Sequence, residues 1–203
     1  MHGDEGRPLH FRKKYANIRS DNERSAVAQV SRIVLGIDPG LAHTGWGVVR
    51  QDGPRMTCLA YGCVTTGVGD PLPQRLLKIK RQIEAVIQRY RPTCLGLETI
   101  WFGENVSAAF GTGQARGAAL VAAAEAGLVV GEYTPNAIKG AVVGQGHADK
   151  QQVQYMVVQL LNLEEEPHPD HAADALAAAL CFITHENAVS SARAASRTKG
   201  ASR

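Results

Sequence analysis

IVLGIDPGLAHTGWGVV, residues Ile33 to Val49, is the stretch whose reading decides the fold. Ile33, Val34, Leu35 and Ile37 form a short, largely β-branched apolar run interrupted only by Gly36, the pattern of a strand buried on both faces. Asp38 falls where that strand ends, because Pro39 and Gly40 favour a turn over a sheet ladder. After that turn, Gly45, Gly47 and a renewed apolar run to Val49 read as a returning hairpin partner. A carboxylate is thereby held at the lip of a central strand. Asp-Pro-Gly is on its own an ordinary turn, so a chemical role for Asp38 depends on acids supplied from elsewhere.

The chain has 203 residues, 44% of them hydrophobic, enough for one α/β core with tails. No stretch has the ~20 consecutive apolar residues needed to span a bilayer, and residues 1–32 lack a signal peptide's apolar centre. A cytoplasmic location is expected. Cys58, Cys63, Cys94 and Cys181 form no CxxC pair and sit in apolar segments, which argues for reduced cysteines over a zinc site or disulfide frame. The net charge of +3 is unevenly spread: residues 1–32 carry seven Lys and Arg against four Asp and Glu, residues 33–185 eleven against fourteen, and residues 186–203 four against one. The basic excess lies in the tails, so nucleic-acid binding by the core needs a local basic patch.

Residues 1–32 read as a flexible polar extension, and residues 186–203 as a disordered basic tail without periodicity. Between them, Met56 to Thr66 reads as a third, antiparallel strand. Apolar residues from Leu76 to Tyr90 recur at three- and four-residue spacing, which predicts a helix over 72–90 stopped by Pro92. Thr93 to Glu98 is a short strand that also ends on a carboxylate. Asn105 to Ala126 reads as an Ala- and Gly-rich helix that must pack closely against something. Leu128–Tyr133 reads as a strand, and 135–143, 148–163 and 170–184 as helices. The result is an α/β domain with a mixed five-stranded sheet, three antiparallel strands then two parallel ones, flanked by helices on both faces. The first strand lies mid-sheet beside the one ending at Glu98, so Asp38 and Glu98 share an edge.

Two adjacent carboxylates repel unless a cation or a proton lies between them. In the last helix His171 and Asp174, three residues apart, share a face, and packed toward Asp38 and Glu98 they complete a site of three carboxylates and an imidazole. Asp170 reads as that helix's N-cap and is left out of the site. Oxygen ligands suit Mg²⁺, and the imidazole is acceptable to Mn²⁺. Such a cluster suits two-metal phosphodiester hydrolysis. Taken singly, each residue has a plainer reading, Asp174 as a helix-dipole partner and His171 as a satisfied surface or core residue. Their convergence on one edge is what favours chemistry. The segment Gly40 to Gly47 reads as a loop that lets a DNA backbone approach Asp38.

GIDPGLAHTGWGVV, LGLETIWFGEN, TGQARGAALVAAA, NAIKGAVVGQGHADKQQVQYMV and HAADALAAAL, in that order, resemble successive motifs of the RuvC family of Holliday-junction resolvases, members of the RNase H-like nuclease superfamily. The likeness covers residues 33–185 and leaves out both tails. It implies an RNase H-like nuclease domain whose four metal-binding, catalytic positions fall on Asp38, Glu98, His171 and Asp174, the third being Asp in some members and His in others. It further implies a homodimer, using two Mg²⁺ ions per site with Mn²⁺ as a substitute, that cuts opposing strands of a four-way DNA junction by paired, symmetric nicks. The Ala/Gly-rich helix resembles the family's dimer-facing element. Lys139 and Lys150 match basic residues near the scissile phosphate, and Trp101, with Phe102 beside it, matches an aromatic position that engages unpaired bases at the crossover. A partnership with the RuvA–RuvB branch-migration machinery is expected from the family.

Two rival classes are testable. GIDPGLAHTG also resembles the first phosphate loop of actin-like ATPases, which share this sheet topology, but the chain has neither a second such loop nor a GxxxxGK[ST] motif. A non-catalytic junction-binding module predicts a missing acid among the four positions; apart from the His171 variant, none is missing.

Overall fold

The computed structural model describes residues 31–99 and 106–200. The strands are β1 (Ser31–Asp38), β2 (His43–Asp52), β3 (Arg55–Thr65), β4 (Cys94–Glu98) and β5 (Val129–Tyr133). The helices are α1 (Leu72–Tyr90), α2 (Val106–Glu125), α3 (Pro135–Val143), α4 (Lys150–Leu161) and α5 (Asp170–Gly200). All five strands form one sheet in the order β3-β2-β1-β4-β5. β2 pairs antiparallel with β1 and β3, while β4 pairs parallel with β1 and β5, as the sequence leads one to expect.

Strand alternation divides the core in two. Leu35 and Ile37 of β1 and Leu95 and Leu97 of β4 point to the side covered by α1 and α2, where they meet Ile79, Ile83, Ala115 and Ala119. Val34 points the other way, into a cluster with Ile138 of α3, Val157 of α4 and Leu176, Leu180 and Ile183 of α5. Each large apolar side chain fully buried in this way stabilises the fold by roughly 1.5–3 kcal/mol. Because successive strand residues alternate faces, Gly36 and Asp38, like Gly96 and Glu98, also face α5.

At Gly36 and Gly45, α5 approaches the sheet with its backbone. A Cβ built on Gly36 would lie 1.9 Å from the Ala175 carbonyl oxygen, and one on Gly45 1.9 Å from that of His171. The side chains of Ala172, Ala175, Ala178 and Ala179 are buried and small enough to allow this. Gly45 and Gly47 lie inside β2, so the expected DNA-admitting loop is corrected: these glycines admit a helix. Strand continuity through the Asp38↔Gly45 pairing overrides their turn propensity.

Three further boundaries shift. β1 begins at Ser31, inside the expected N-terminal extension, because Arg32 is held by Gln51 Oε1 and Asn187 Oδ1, each at 2.8 Å. α5 continues to Gly200 where a disordered tail is expected from residue 186. Its continuation starts with Asn187 tied to Arg32 and Gln51 and carries no helix breaker before Gly200. Asp170 is the first helical residue of α5, with its carboxylate committed to Lys150 Nζ at 2.8 Å, so it is no simple cap. The remainder of the expected extension, residues 1–30, lies outside the described residues.

α4 starts on a full capping box: Asp149 Oδ1 accepts from Gln152 N, and Gln152 Oε1 accepts from Asp149 N. Asp149→Ala is expected to cost about 1 kcal/mol, a Tm drop of about 2–4 °C in a chain of this size, readable by calorimetry.

Candidate metal and nucleic-acid site

The alternation that buries Leu97 on one side of β4 turns Glu98 to the other, and the parallel register Ile37↔Leu97 brings it beside Asp38. The first turn of α5 ends above the same edge. Asp38, His171 and Asp174 each offer a ligand atom, and these atoms all lie within 4.8 Å of one another. Ligands on opposite sides of one magnesium ion stand about 4.2 Å apart, since each bond is about 2.1 Å. The triad is therefore near the span that a single divalent ion requires, and its oxygen and imidazole donors fit Mg²⁺ or Mn²⁺. Glu98 lies outside this compact group but close enough for the charges of Asp38 and Asp174 to act on it.

The electrostatics are those of a site short of positive charge. Burial, followed by the Asp38 and Asp174 carboxylates, pushes Glu98 up to about 7. Asp174 is raised as well, by burial first and Asp38 second. His171 Nδ1 donates to Asp38 Oδ2 at 2.7 Å, and this hydrogen bond raises the imidazole above its ordinary value. All three shifts favour the protonated forms, which lessens the repulsion among the acids.

A pH dependence follows, with its sign. The metal-free protein keeps a proton on Glu98 below pH 7 and sheds it above, and a cation requires the ionised form. Apparent affinity for Mg²⁺ or Mn²⁺ is expected to fall as pH drops through 7, by up to tenfold per unit. Each binding event should release more protons at pH 6 than at pH 8. Calorimetry in buffers of differing ionisation enthalpy reads this directly; heats independent of buffer at pH 6 would contradict it. Stability of the metal-free chain carries the opposite sign: the raised Glu98 group favours folding below its ordinary value, and that contribution is lost as pH rises through 7. Glu98→Gln is therefore expected to raise the metal-free Tm at pH 8.

Both expected lysines face this edge. Lys139 and Lys150 line a cavity of about 260 Å³ together with Glu98 and Asp174. Lys150 Nζ also lies 3.6 Å from Asp174 Oδ2, besides its contact with Asp170; the Asp170 partnership holds its ammonium above the usual range. Trp101 and Phe102 lie outside the described residues. Two neighbours escaped the sequence reading. His43 stacks on His171, with ring centroids 5.5 Å apart and planes 17° from parallel. Arg75 shares a second cleft with both histidines. The signal for His43 was its place five residues after Asp38, at the start of the paired strand; Arg75 had none beyond its position in the first turn of α1.

Comparison with known proteins bears on this geometry. The family model for crossover junction endodeoxyribonuclease RuvC matches residues 34–182. A RuvC from Heliobacterium modesticaldum is 52% identical over 149 residues, covering 73% of this chain and 92% of that relative. One from Rubrobacter xylanophilus is 47% identical over 154 residues, covering 76% and 86%. Among solved structures, Thermus thermophilus RuvC in complex with a Holliday junction substrate is 40% identical with a TM-score of 0.73, covering 76% of this chain and 94% of that one. A yeast mitochondrial Holliday junction resolvase, at 13% identity and a TM-score of 0.53, shares the fold, covering 79% of this chain and 83% of its own. The fold is RNase H-like, and the chain belongs to the RuvC family of crossover junction endodeoxyribonucleases.

Proposed function

We propose that this chain resolves four-way DNA junctions by paired, symmetric phosphodiester hydrolysis during homologous recombination and repair, with residues 33–185 as the nuclease domain. The observation that carries the reading is the convergence of Asp38, His171 and Asp174 within 4.8 Å, with Glu98 beside them, on a sheet edge flanked by Lys139 and Lys150. Two Mg²⁺ ions per site, with Mn²⁺ as a substitute, are the expected cofactors, held by those four residues. Bound there, divalent ions supply Lewis-acid stabilisation of the charge that builds on the phosphate oxygens. To hold an ion, Asp38 Oδ2 and His171 Nδ1 would give up their mutual hydrogen bond, the imidazole releasing its Nδ1 proton to solvent. Lys139 and Lys150 neutralise the phosphate across the cavity, Lys150 being kept upright by Asp170. Trp101 and Phe102 stack on the opened junction centre.

The active assembly in this reading is a homodimer, since two opposed strands need two sites. α2 buries Ala115, Ala119, Ala122 and Ala123 against its own fold while leaving Phe110 at 68% and Val121 at 49% exposure, which supports a partner on its outer side. Family membership supports cooperation with the RuvA–RuvB complex. A cytoplasmic setting accords with four free cysteines, and among the described residues no helix is long and apolar enough to cross a membrane. The test is to map nicks on an immobile junction labelled on each strand in turn. Nicks at symmetry-related positions in two opposing strands are expected; nicks in one strand alone, or scattered over all four, overturn the paired reading.

A further inference from the structure

The acidic cluster borders two hollows, one of them the lysine cavity lined by Glu98 and Asp174. The other, a cleft of about 340 Å³, is walled by Leu41, His43, Arg75, Gly111, Thr112 and His171 among others. His171 belongs to both the metal triad and this wall, so the cleft opens directly beside the reacting centre.

Arg75 is held there with its charge unspent. Its Nε donates to Thr66 Oγ1 at 2.8 Å, and Thr66 Oγ1 donates to the Leu41 carbonyl at 2.6 Å, so the guanidinium is fixed to the loop that follows Asp38. Among the described residues no carboxylate lies within ion-pair distance of Arg75, whereas Arg32, Arg50, Arg116 and Lys150 each have one. A half-buried guanidinium fixed through Nε alone presents its terminal N–H groups as a fork suited to a phosphate. His43 and Thr112 line the cleft beside it, and Leu41 offers an apolar surface for a sugar or base.

The geometry points to a second phosphate subsite: Arg75 binds a backbone phosphate of the cleaved strand flanking the scissile one, on the side of the acids opposite Lys139 and Lys150. This inference rests on the junction-cleaving reading. In it the strand is gripped on both sides of the acids, and the bond to be broken is positioned by Lys139, Lys150 and Arg75, none of which itself reacts.

The experiment uses junctions carrying a single neutral methylphosphonate, walked along the cleaved strand, with the full-length chain and with Arg75→Gln, Arg75→Lys and Thr66→Val. Binding is measured without divalent metal, and melting temperatures are recorded for each variant. For the wild-type chain, one flanking position is expected to weaken binding about tenfold. With Arg75→Gln that position should become silent and the slope of log affinity against log salt should shrink by about 0.7–0.9; Arg75→Lys should restore both. A role confined to bracing the Asp38 loop predicts instead that Thr66→Val matches Arg75→Gln and that Arg75→Lys fails to rescue. That pattern, or a full methylphosphonate effect retained in Arg75→Gln, would overturn the subsite. Cleavage of the unmodified junction by the wild-type chain, run alongside, reports separately on the underlying reading: its absence overturns both, while cleavage with an unchanged methylphosphonate profile overturns the subsite alone.

Discussion

Asp38→Asn is expected to bind a four-way junction within about threefold of wild-type affinity, since phosphate contacts dominate DNA binding, and to cut it at least about 10³-fold more slowly. The magnitude comes from the several kcal/mol that a metal centre contributes to phosphoryl chemistry, at 1.36 kcal/mol per factor of ten. Asp38 is the hinge of the cluster. It is 17% exposed, hydrogen-bonds His171, and stands among the charges that raise both Glu98 and Asp174. Asparagine fills the same space but offers no anionic oxygen, so in the proposed site a cation would lose a ligand while the sheet edge keeps its shape. The substitution also removes a source of repulsion on Glu98. Melting of the metal-free variant should therefore occur at or above the wild-type temperature, which separates lost chemistry from lost fold. Undiminished cleavage by Asp38→Asn in Mg²⁺ would remove Asp38 from the site.

The second large effect is steric. Gly36→Ala places a methyl 1.9 Å from the Ala175 carbonyl oxygen and 2.7 Å from Ala179 N. Both are backbone atoms of α5 that no rotamer change can move. Overpacking of this kind costs about 3 kcal/mol or more, equivalent to a Tm drop of about 6–12 °C. Gly45→Ala meets the His171 carbonyl at the same distance, at the end of α5 that carries His171 and Asp174, the proposed metal ligands. It should impair metal binding out of proportion to its thermal effect, because the first turn can tilt away while the rest of α5 stays packed. Gly140→Ala, where an added Cβ meets nothing within 4 Å, serves as control and should be neutral or stabilising by up to about 1 kcal/mol. Equal melting of the Gly36 and Gly140 variants would contradict the packing account.

The two glycines and two acids also explain what could be read without coordinates. In GID and GLE, each acid follows a glycine at two-residue spacing, so each pair shares a strand face. Short apolar strands and the helix over 72–90 are local patterns, and their order determines the sheet. The mistaken loop at Gly40 to Gly47 came from assigning the room its glycines leave to a DNA backbone. Glycine here serves close approach by a helix whose facing residue lies far along the chain, His171 for Gly45 and Leu176 for Gly47, which no local signal carries. The end of α5 was missed for a related reason: Ala, Ser and Arg give no amphipathic period, and the contact of Asn187 with Arg32 is long-range. Asp170 resembled a cap because caps and lysine partners look alike in sequence. The standing of Glu98 slightly apart from the triad is likewise invisible in sequence, since it depends on how repulsion among acids is relieved in space. Arg75 and His43 become functional candidates only once the cleft beside His171 is seen.

The most direct test of the central claim, that Asp38, Glu98, His171 and Asp174 form a metal-dependent centre acting on four-way junctions, is a side-by-side cleavage assay. A synthetic mobile junction and a linear duplex of the same sequence are incubated with the purified chain in Mg²⁺, in Mn²⁺ and in chelator. The account predicts symmetric nicks in the junction alone, and only with a divalent ion. Binding without cutting in both metals, or equal cutting of the linear duplex, would contradict it.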